Sequence, residues 1–348
     1  MIKNKKTALI TGVTGQDGAH LSKELLSRGW EVYGGYRRGS SSTTWRLDYL
    51  GIKNQVKLIE CQLNEAQNII SVLQETRPDV IFHLASESFV ADSFKYPGVT
   101  LDVNAHGTLN MLEGVRLVVP ESKIFCASSS EIFGTALGDE KLSETSRFYP
   151  TNPYGISKLA AANFARLYRE RYGVYSCSGI LFNHEGPLRG RSFVTRKITY
   201  NIARLCVEGG EPFELGDLNS ARDWGAAEDY VIAMCDMMDL TSPEDLIIAS
   251  GRLTSIREFL KKAAESAGMS PVFEGTKEKE VCIDKNSGRV IAKVSERYFR
   301  PQDTPPLVGN TDRIMSLTDW EGSRSIDKLI GEMVEADLDR WKRGITNV

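Results

Sequence analysis

Two short segments about twenty residues apart carry side chains able to do chemistry: Ser128-Ser129-Ser130-Glu131 and Tyr154-Gly-Ile-Ser-Lys158. A Tyr and a Lys four residues apart share one face of a helix. The ammonium lowers the cost of forming a phenolate, so Tyr154 is able to take a hydroxyl proton near neutral pH. Ser129 can hold the same oxygen. Such a trio oxidises alcohols with a nicotinamide. Glu131 adds something that plain alcohol oxidation does not need, a carboxylate placed to remove a proton beside a newly made ketone. Alone, Glu131 reads as a solvated loop carboxylate and the Tyr/Lys pair as surface helix. Together with the glycine loop below they read as an active site for elimination coupled to redox.

These residues must be held by something. Apolar runs at Ala8-Leu-Ile10, Glu31-Val-Tyr33, Val56-Lys-Leu-Ile59, Val80-Ile-Phe-His-Leu84, Lys123-Ile-Phe-Cys126 and Ser178-Gly-Ile-Leu-Phe182 read as short buried strands. Helical patterns alternate with them, and Pro97 and Pro153 can each open a long helix. The alternation predicts an α/β fold, a doubly wound parallel sheet of the Rossmann type with helices on both faces. Ser129 and Ser130 then end the strand begun at Lys123, at the carboxyl edge that faces a ligand crevice. Beyond Phe182 the pattern loosens, with helices expected at Lys197 to Val207, Ala226 to Met238 and Ser255 to Ala267. This predicts a cofactor domain over 1–182 and a smaller substrate lobe over 183–348, with the chain crossing between them.

After the first strand comes Thr11-Gly12-Val-Thr-Gly15-Gln-Asp-Gly18. Its glycines permit a tight turn and close backbone approach, which places a pyrophosphate at the positive end of the first helix. The second strand ends in Tyr36-Arg37-Arg38-Gly39-Ser40-Ser41 rather than in the acid common in NAD binders. Two guanidiniums and hydroxyls suit a ribose 2′-phosphate, which selects NADP over NAD; the alternative is a solvated basic loop. In the smaller lobe, Asn183-His184-Glu185, Arg189-Gly-Arg191 and Arg222-Asp-Trp224 suggest a diphosphate on the substrate, or else surface salt bridges.

The 348 residues carry 43 basic and 46 acidic side chains, a balance that gives no argument for nucleic acid or a membrane surface as partner. No signal peptide or membrane-spanning helix is expected. Six cysteines without a CxxC spacing read as buried thiols of a reducing, cytoplasmic compartment. Four scattered histidines argue against a metal site.

These residues resemble the extended short-chain dehydrogenase/reductases and, within them, the GDP-mannose 4,6-dehydratase family. The resemblance spans nearly the whole chain. It runs through the glycine loop, Arg37-Arg38, Ser128-Ser-Ser-Glu-Ile-Phe-Gly134 and Asn152-Pro-Tyr-Gly-Ile-Ser-Lys158. It continues in Ile180-Leu-Phe-Asn-His-Glu185, Phe193-Val-Thr-Arg-Lys-Ile198, Gly216-Asp-Leu, Arg222-Asp-Trp-Gly225, Tyr298-Phe-Arg-Pro301 and Glu332-Met-Val-Glu-Ala-Asp337. It implies that Ser129 orients the C4 hydroxyl of a GDP-sugar, that Tyr154 deprotonates it, and that Lys158 holds the nicotinamide ribose. Glu131 would remove the C5 proton and help to expel the C6 hydroxyl. Gly12, Thr14, Gly15, Gln16, Asp17 and Gly18 would contact NADP, as would Arg37, Arg38 and Ser40. Leu63, Leu84, Ala85, Ser88, His184 and Arg189 complete that set. Ser88, Ser130, Asn183, Val194, Lys197, Gly216, Arg222 and Arg297 would meet the nucleotide-sugar. The loop from Arg37 would reach a neighbouring subunit's cofactor, implying a homo-oligomer, dimer or tetramer.

Some positions depart from the family pattern. Ser129 stands for Thr, Gln62 for Asp, Glu87 for Gln, and Gly186 and Leu188 for a Ser and an Arg; Gly39 loosens the double-arginine loop. Rival readings are a 4,6-dehydratase of another GDP-hexose or heptose, a 4-keto-sugar reductase or C4 epimerase, and a catalytically silent NADP-binding regulator. Reductases and epimerases need no C5 base, and a regulator needs none of the four polar groups.

Overall fold

The computed structural model describes residues 5–38, 44–135, 141–299 and 306–346. Gly39, Ser40 and Ser41 of the double-arginine loop, and Arg300 and Pro301, lie outside them. The chain divides into two compact units. Unit 1 comprises Met1–Phe182, Ala227–Ala249 and Gly309–Gly322. Its strands are β1 (Thr7–Thr11), β2 (Glu31–Tyr36), β3 (Lys57–Glu60), β4 (Val80–His83), β5 (Lys123–Ser129) and β6 (Ser176–Leu181), with a further strand at Leu246–Ile248. All pair in parallel, in the order Leu246–Ile248, β6, β5, β4, β1, β2, β3. β1 and β4 are buried at every position, as a parallel strand covered by helices on both faces requires. Successive strands step outward from β1 to β3 and then cross back to β4. The carboxyl ends of β1 and β4 therefore flank the point where ligand crevices form in such sheets.

Helices α1 (Gln16–Ser27), α2 (Ala66–Thr76), α3 (Gly107–Val118) and α4 (Pro153–Tyr172) cover the sheet. Ile69, Leu73, Met111, Leu112 and Val115 pack with Leu9, Ile81 and Ile124 in one core. α4 begins with Pro153 in its first turn, and the Asn152 side chain caps it by accepting the Gly155 N–H at 2.8 Å. It stops at Gly173, whose φ of +70° is the left-handed conformation of a helix C-cap. The helix expected from Pro97 is not continuous α-helix. Pro97–Leu101 is followed by a single π-helical turn, Asp102–His106, and only then by α3. The turn is stabilised by contacts of Asn104 with distant residues, set out below.

Unit 2 comprises Asn183–Ala226, Ser250–Val308 and Ser323–Val348. The helix Ala227–Asp239, beyond residue 182, thus lies in unit 1. Helices α5 (Val194–Val207), α6 (Ile256–Ser266) and α7 (Ile326–Lys342) bury Ile198, Ile202, Phe259, Leu260, Leu329 and Met333. Trp224 stands edge-on to Phe259 at 5.4 Å in the same core. A three-stranded sheet aligns Asn183–Glu185 and Leu253–Ser255 on either side of Ala221–Ala226.

Three charges are sealed inside unit 2. Arg196, Asp337 and Arg340 are 0%, 0% and 2% exposed. Arg196 Nε lies 2.9 and 2.8 Å from the two Asp337 oxygens, which also accept from Arg340 Nη1 at 3.0 Å and Thr199 Oγ1 at 2.7 Å. Arg196 Nη1 donates to the Pro187 and Arg189 carbonyls, and Arg340 Nη2 to the Pro187 carbonyl. Burial pushes the Arg196 pKa down and the Asp337 carboxylate opposes it. Asp337→Leu is expected to cost about 3–5 kcal/mol of unit 2 stability, because it strands two buried guanidiniums. Urea unfolding followed by tryptophan fluorescence measures it; a loss below about 1 kcal/mol contradicts the argument.

Candidate active site

The glycine loop leaves β1 at Gly12, whose φ is +74°. A Cβ there would lie 2.9 Å from the Ala85 backbone, and one on Gly18 would lie 2.4 Å from the Gly12 carbonyl oxygen. The loop is therefore folded against both α1 and the residues following β4, at distances only glycine permits. Gly12 N–H donates to Gly35 O at 3.0 Å and Gly15 N–H to Gly12 O at 2.9 Å. No side chain caps α1, and the N-terminus of a helix at this position suits an anion. This cradle fits a dinucleotide pyrophosphate. Thr14 offers its carbonyl to Arg46, and the Gln16 amide donates to Asp17 at 3.3 Å. Ala85 N–H donates to Thr11 Oγ1, which fixes the chain after β4 beside the loop. Leu63 is buried against Gly107, Leu84 is half-buried, and Ser88 is exposed.

The catalytic candidates all lie in unit 1 and gather at the end of β5 and the start of α4. Ser129 closes β5 and its Oγ accepts the Glu131 N–H at 3.3 Å, capping the short turn Ser130–Ile132. Ser130 is buried in that turn. Glu131 is half-buried, and its Oε2 accepts from Asn152 Nδ2 at 2.7 Å. Asn152 thus grips the carboxylate with its amide nitrogen while its oxygen caps α4. A Cβ at Gly155 would lie 2.5 Å from the Glu131 carbonyl oxygen, so this glycine lets the catalytic helix press directly on the turn that carries the carboxylate.

Tyr154 and Lys158 are 9% and 5% exposed. Lys158 Nζ lies 5.8 Å from the Tyr154 ring centre and donates to Ala127 O at 2.9 Å. Burial pulls the Lys158 pKa down to about 8, against smaller opposing fields from Cys126 and Asp17. The neighbouring His83 is buried between Thr11 and Thr108 and pushed down to about 3, again chiefly by burial. It is neutral at pH 7.

Asn104, in the π turn, ties these parts together. It accepts from Ser86 Oγ and Glu87 N–H, and donates to Glu87 O and Ser157 Oγ, all between 2.8 and 3.0 Å. Ser157 in turn donates to Tyr154 O. Neither Asn104 nor Asn152 was singled out from sequence. Asn152 had a signal, an Asn immediately before a helix-opening Pro; Asn104 sits in an apolar helical pattern with none.

Arg37 and Arg38 are exposed beyond β2, and each faces a carboxylate: Arg37 Nη1 to Glu87 Oε1 at 3.0 Å and Arg38 Nη2 to Glu60 Oε1 at 2.8 Å. Within unit 2, Lys197 Nζ stands 4.2 Å and the Arg297 guanidinium 5.2 Å from the Tyr298 ring centre. Gly216 packs on the Tyr298 carbonyl, so these three candidates cluster. Val194 opens α5 one turn before Lys197. Asn183 and His184 lie on the strand paired with Trp224 and Gly225. Arg222 is exposed further along that same partner strand, and donates to Ala221 O. Arg189 pairs with the buried Glu185 at 3.1 Å.

A dinucleotide cradle at a sheet switch point, followed by Ser129, Glu131, Tyr154 and Lys158 on one strand end and one helix, defines an extended short-chain dehydrogenase/reductase. The family model described as GDP-mannose 4,6 dehydratase matches residues 9–333. A GDP-mannose 4,6-dehydratase of Vibrio cholerae is 39% identical over 351 residues, 96% of this chain and 94% of that protein. A human GDP-mannose 4,6 dehydratase is 39% identical over 347 residues, 97% of this chain and 93% of that protein. In fold, the chain matches the dTDP-glucose 4,6-dehydratase of Streptomyces venezuelae with a TM-score of 0.79 at 20% identity, covering 97% and 98% of the two chains. The chain belongs to the GDP-mannose 4,6-dehydratase family, a family of NADP-using hydro-lyases.

Proposed function

We propose that this chain converts GDP-D-mannose to GDP-4-keto-6-deoxy-D-mannose and water without net redox change. One observation carries the reading: the Glu131 carboxylate, on the turn that follows the Ser129 strand end, is held by Asn152, the residue that caps the Tyr154 helix. NADP, when bound, supplies a site that takes a hydride from C4 and returns it at C6. Ser129 Oγ orients the C4 hydroxyl and Tyr154 Oη takes its proton. Lys158, anchored on the Ala127 carbonyl, presents its ammonium to the nicotinamide ribose and to the phenolate. With C4 a ketone, the C5 proton is acidic and passes to a Glu131 oxygen. The same carboxyl then protonates the departing C6 hydroxyl, which leaves as water. The proton taken by Tyr154 then returns to C5 as the hydride returns to C6, so every group ends as it began. The glycine loop, Ala85 and the ends of α1 and β4 hold the cofactor, with Arg37 on its 2′-phosphate. Lys197, Gly216, Arg222 and Arg297 bind the GDP moiety.

Purified protein given GDP-mannose and substoichiometric NADP+ is expected to release the 4-keto-6-deoxy product, seen by mass spectrometry, with no rise in absorbance at the NADPH band. Stoichiometric NADPH would instead identify a dehydrogenase. A homo-oligomer accompanies this reading. Phe94, Tyr96, Val99 and Leu101 and, from α4, Ile156 present exposed apolar side chains, which suit a subunit contact. Among the described residues no helix is long and apolar enough to cross a membrane, and all six cysteines are free thiols. The thiols support a reducing, cytoplasmic setting.

A further inference from the structure

The two guanidiniums offered to a 2′-phosphate are already facing carboxylates, and one of those pairs is unusual in its placement. The sheet order runs β4, β1, β2, so β1 and its glycine loop lie between Arg37, which follows β2, and Glu87, which follows β4. Adjacent strands are about 4.8 Å apart, so the Arg37–Glu87 pair spans roughly 10 Å across the line on which a dinucleotide lies. The two residues are 50 positions apart in sequence and exposed by 69% and 43%, so packing does not force them together. Glu87 is nevertheless presented from a fixed backbone, since Asn104 holds both its N–H and its carbonyl. Arg38 is held in the same way by Glu60, whose pKa the guanidinium pulls down.

We propose that Glu87 is a specificity-determining residue that competes with the cofactor's 2′-phosphate for Arg37 and so lowers the preference for NADP over NAD. A phosphate reaching Arg37 must displace a carboxylate or share the guanidinium with it, and a resident anion a few ångströms away repels the incoming one. A 2′-hydroxyl carries no charge and meets neither cost. This inference rests on the reading of Arg37 as the 2′-phosphate contact.

Isothermal titration of the apoprotein with NADP+ and with NAD+ tests both, using Glu87→Gln and Arg37→Met. Glu87→Gln keeps the side-chain shape and the Asn104 contacts and removes the charge. It is expected to tighten NADP+ binding about fivefold while moving NAD+ less than about twofold, with the gain shrinking at high salt. Arg37→Met is expected to lower the NADP+/NAD+ affinity ratio by about tenfold or more. If Arg37→Met lowers the ratio and Glu87→Gln leaves it unchanged or reduces it, the competition is overturned while Arg37 keeps its role. A Glu87→Gln protein that binds both cofactors more weakly makes the pair a clasp rather than a competitor, and overturns it equally. If Arg37→Met leaves the ratio unmoved, the reading of Arg37 fails and the inference with it.

Discussion

Glu131→Gln is expected to cut turnover by about a thousandfold while leaving the first oxidation intact. The substitution keeps an oxygen able to accept from Asn152 Nδ2, now at 2.7 Å from Glu131, so the turn and the start of α4 should stay in place. What disappears is the group able to take the C5 proton. Ser129, Tyr154 and Lys158 remain, so enzyme mixed with GDP-mannose should produce a single-turnover rise at the NADPH band that does not decay. Exchange of the C5 hydrogen with deuterated solvent should stop along with product release. A variant that still exchanges C5 and still eliminates water would transfer the base to another residue, and the dehydration assigned to this turn would fail. The effect is large because a single positioned acid–base group serves two steps, proton removal at C5 and departure of the C6 oxygen.

The second large effect is on Lys158→Met, expected to lose about three orders of magnitude in turnover and to change two pH dependences. The folded-state pKa near 8 lies below the ordinary lysine value. As pH rises through about 8 the free enzyme loses its ammonium, so kcat/KM should fall on an alkaline limb centred there. In the methionine variant that limb should vanish. Stability moves the other way. Between about pH 8 and 10.5 the unfolded chain holds the lysine proton more tightly than the folded one, so the wild type gains stability as pH rises. Below pH 8 the burial penalty is fully present. The stability of the methionine variant relative to wild type should therefore decrease by about 2 kcal/mol from pH 7 to pH 10. The comparison cancels other titrating groups, and the broken bond to the Ala127 carbonyl shifts both ends equally. Denaturant curves at a series of pH values supply the measurement; a flat difference would mean that Lys158 is not desolvated as its 5% exposure indicates.

Much of the fold was legible because it follows from local pattern. β1 and β4 are short runs built on apolar residues and bounded by turns, and burial on both faces of a parallel sheet demands such runs. The glycine loop was legible because no other residue tolerates those approaches to Ala85 and Val13. The Tyr154/Lys158 pair was legible because a helix brings positions four apart together whatever surrounds it. The π turn at Asp102–His106 was hidden, since its cause is a side chain bonding residues 17 and 53 positions away.

What the sequence determined by itself is therefore the inventory and its local order: a dinucleotide loop, a serine and a carboxylate after a strand, a tyrosine and lysine on one helix face, and two arginines after β2. Only the tertiary structure decided what each of these meets. It set Asn152 on the Glu131 carboxylate, used Asn104 to join the β4 loop to the catalytic helix, buried Lys158 deeply enough to loosen its proton, and placed Glu87 opposite Arg37. The physical reason is one of range. Helix and strand periodicity act over a few residues, whereas desolvation and ion pairing depend on neighbours that the fold brings together from 21 to 141 positions away.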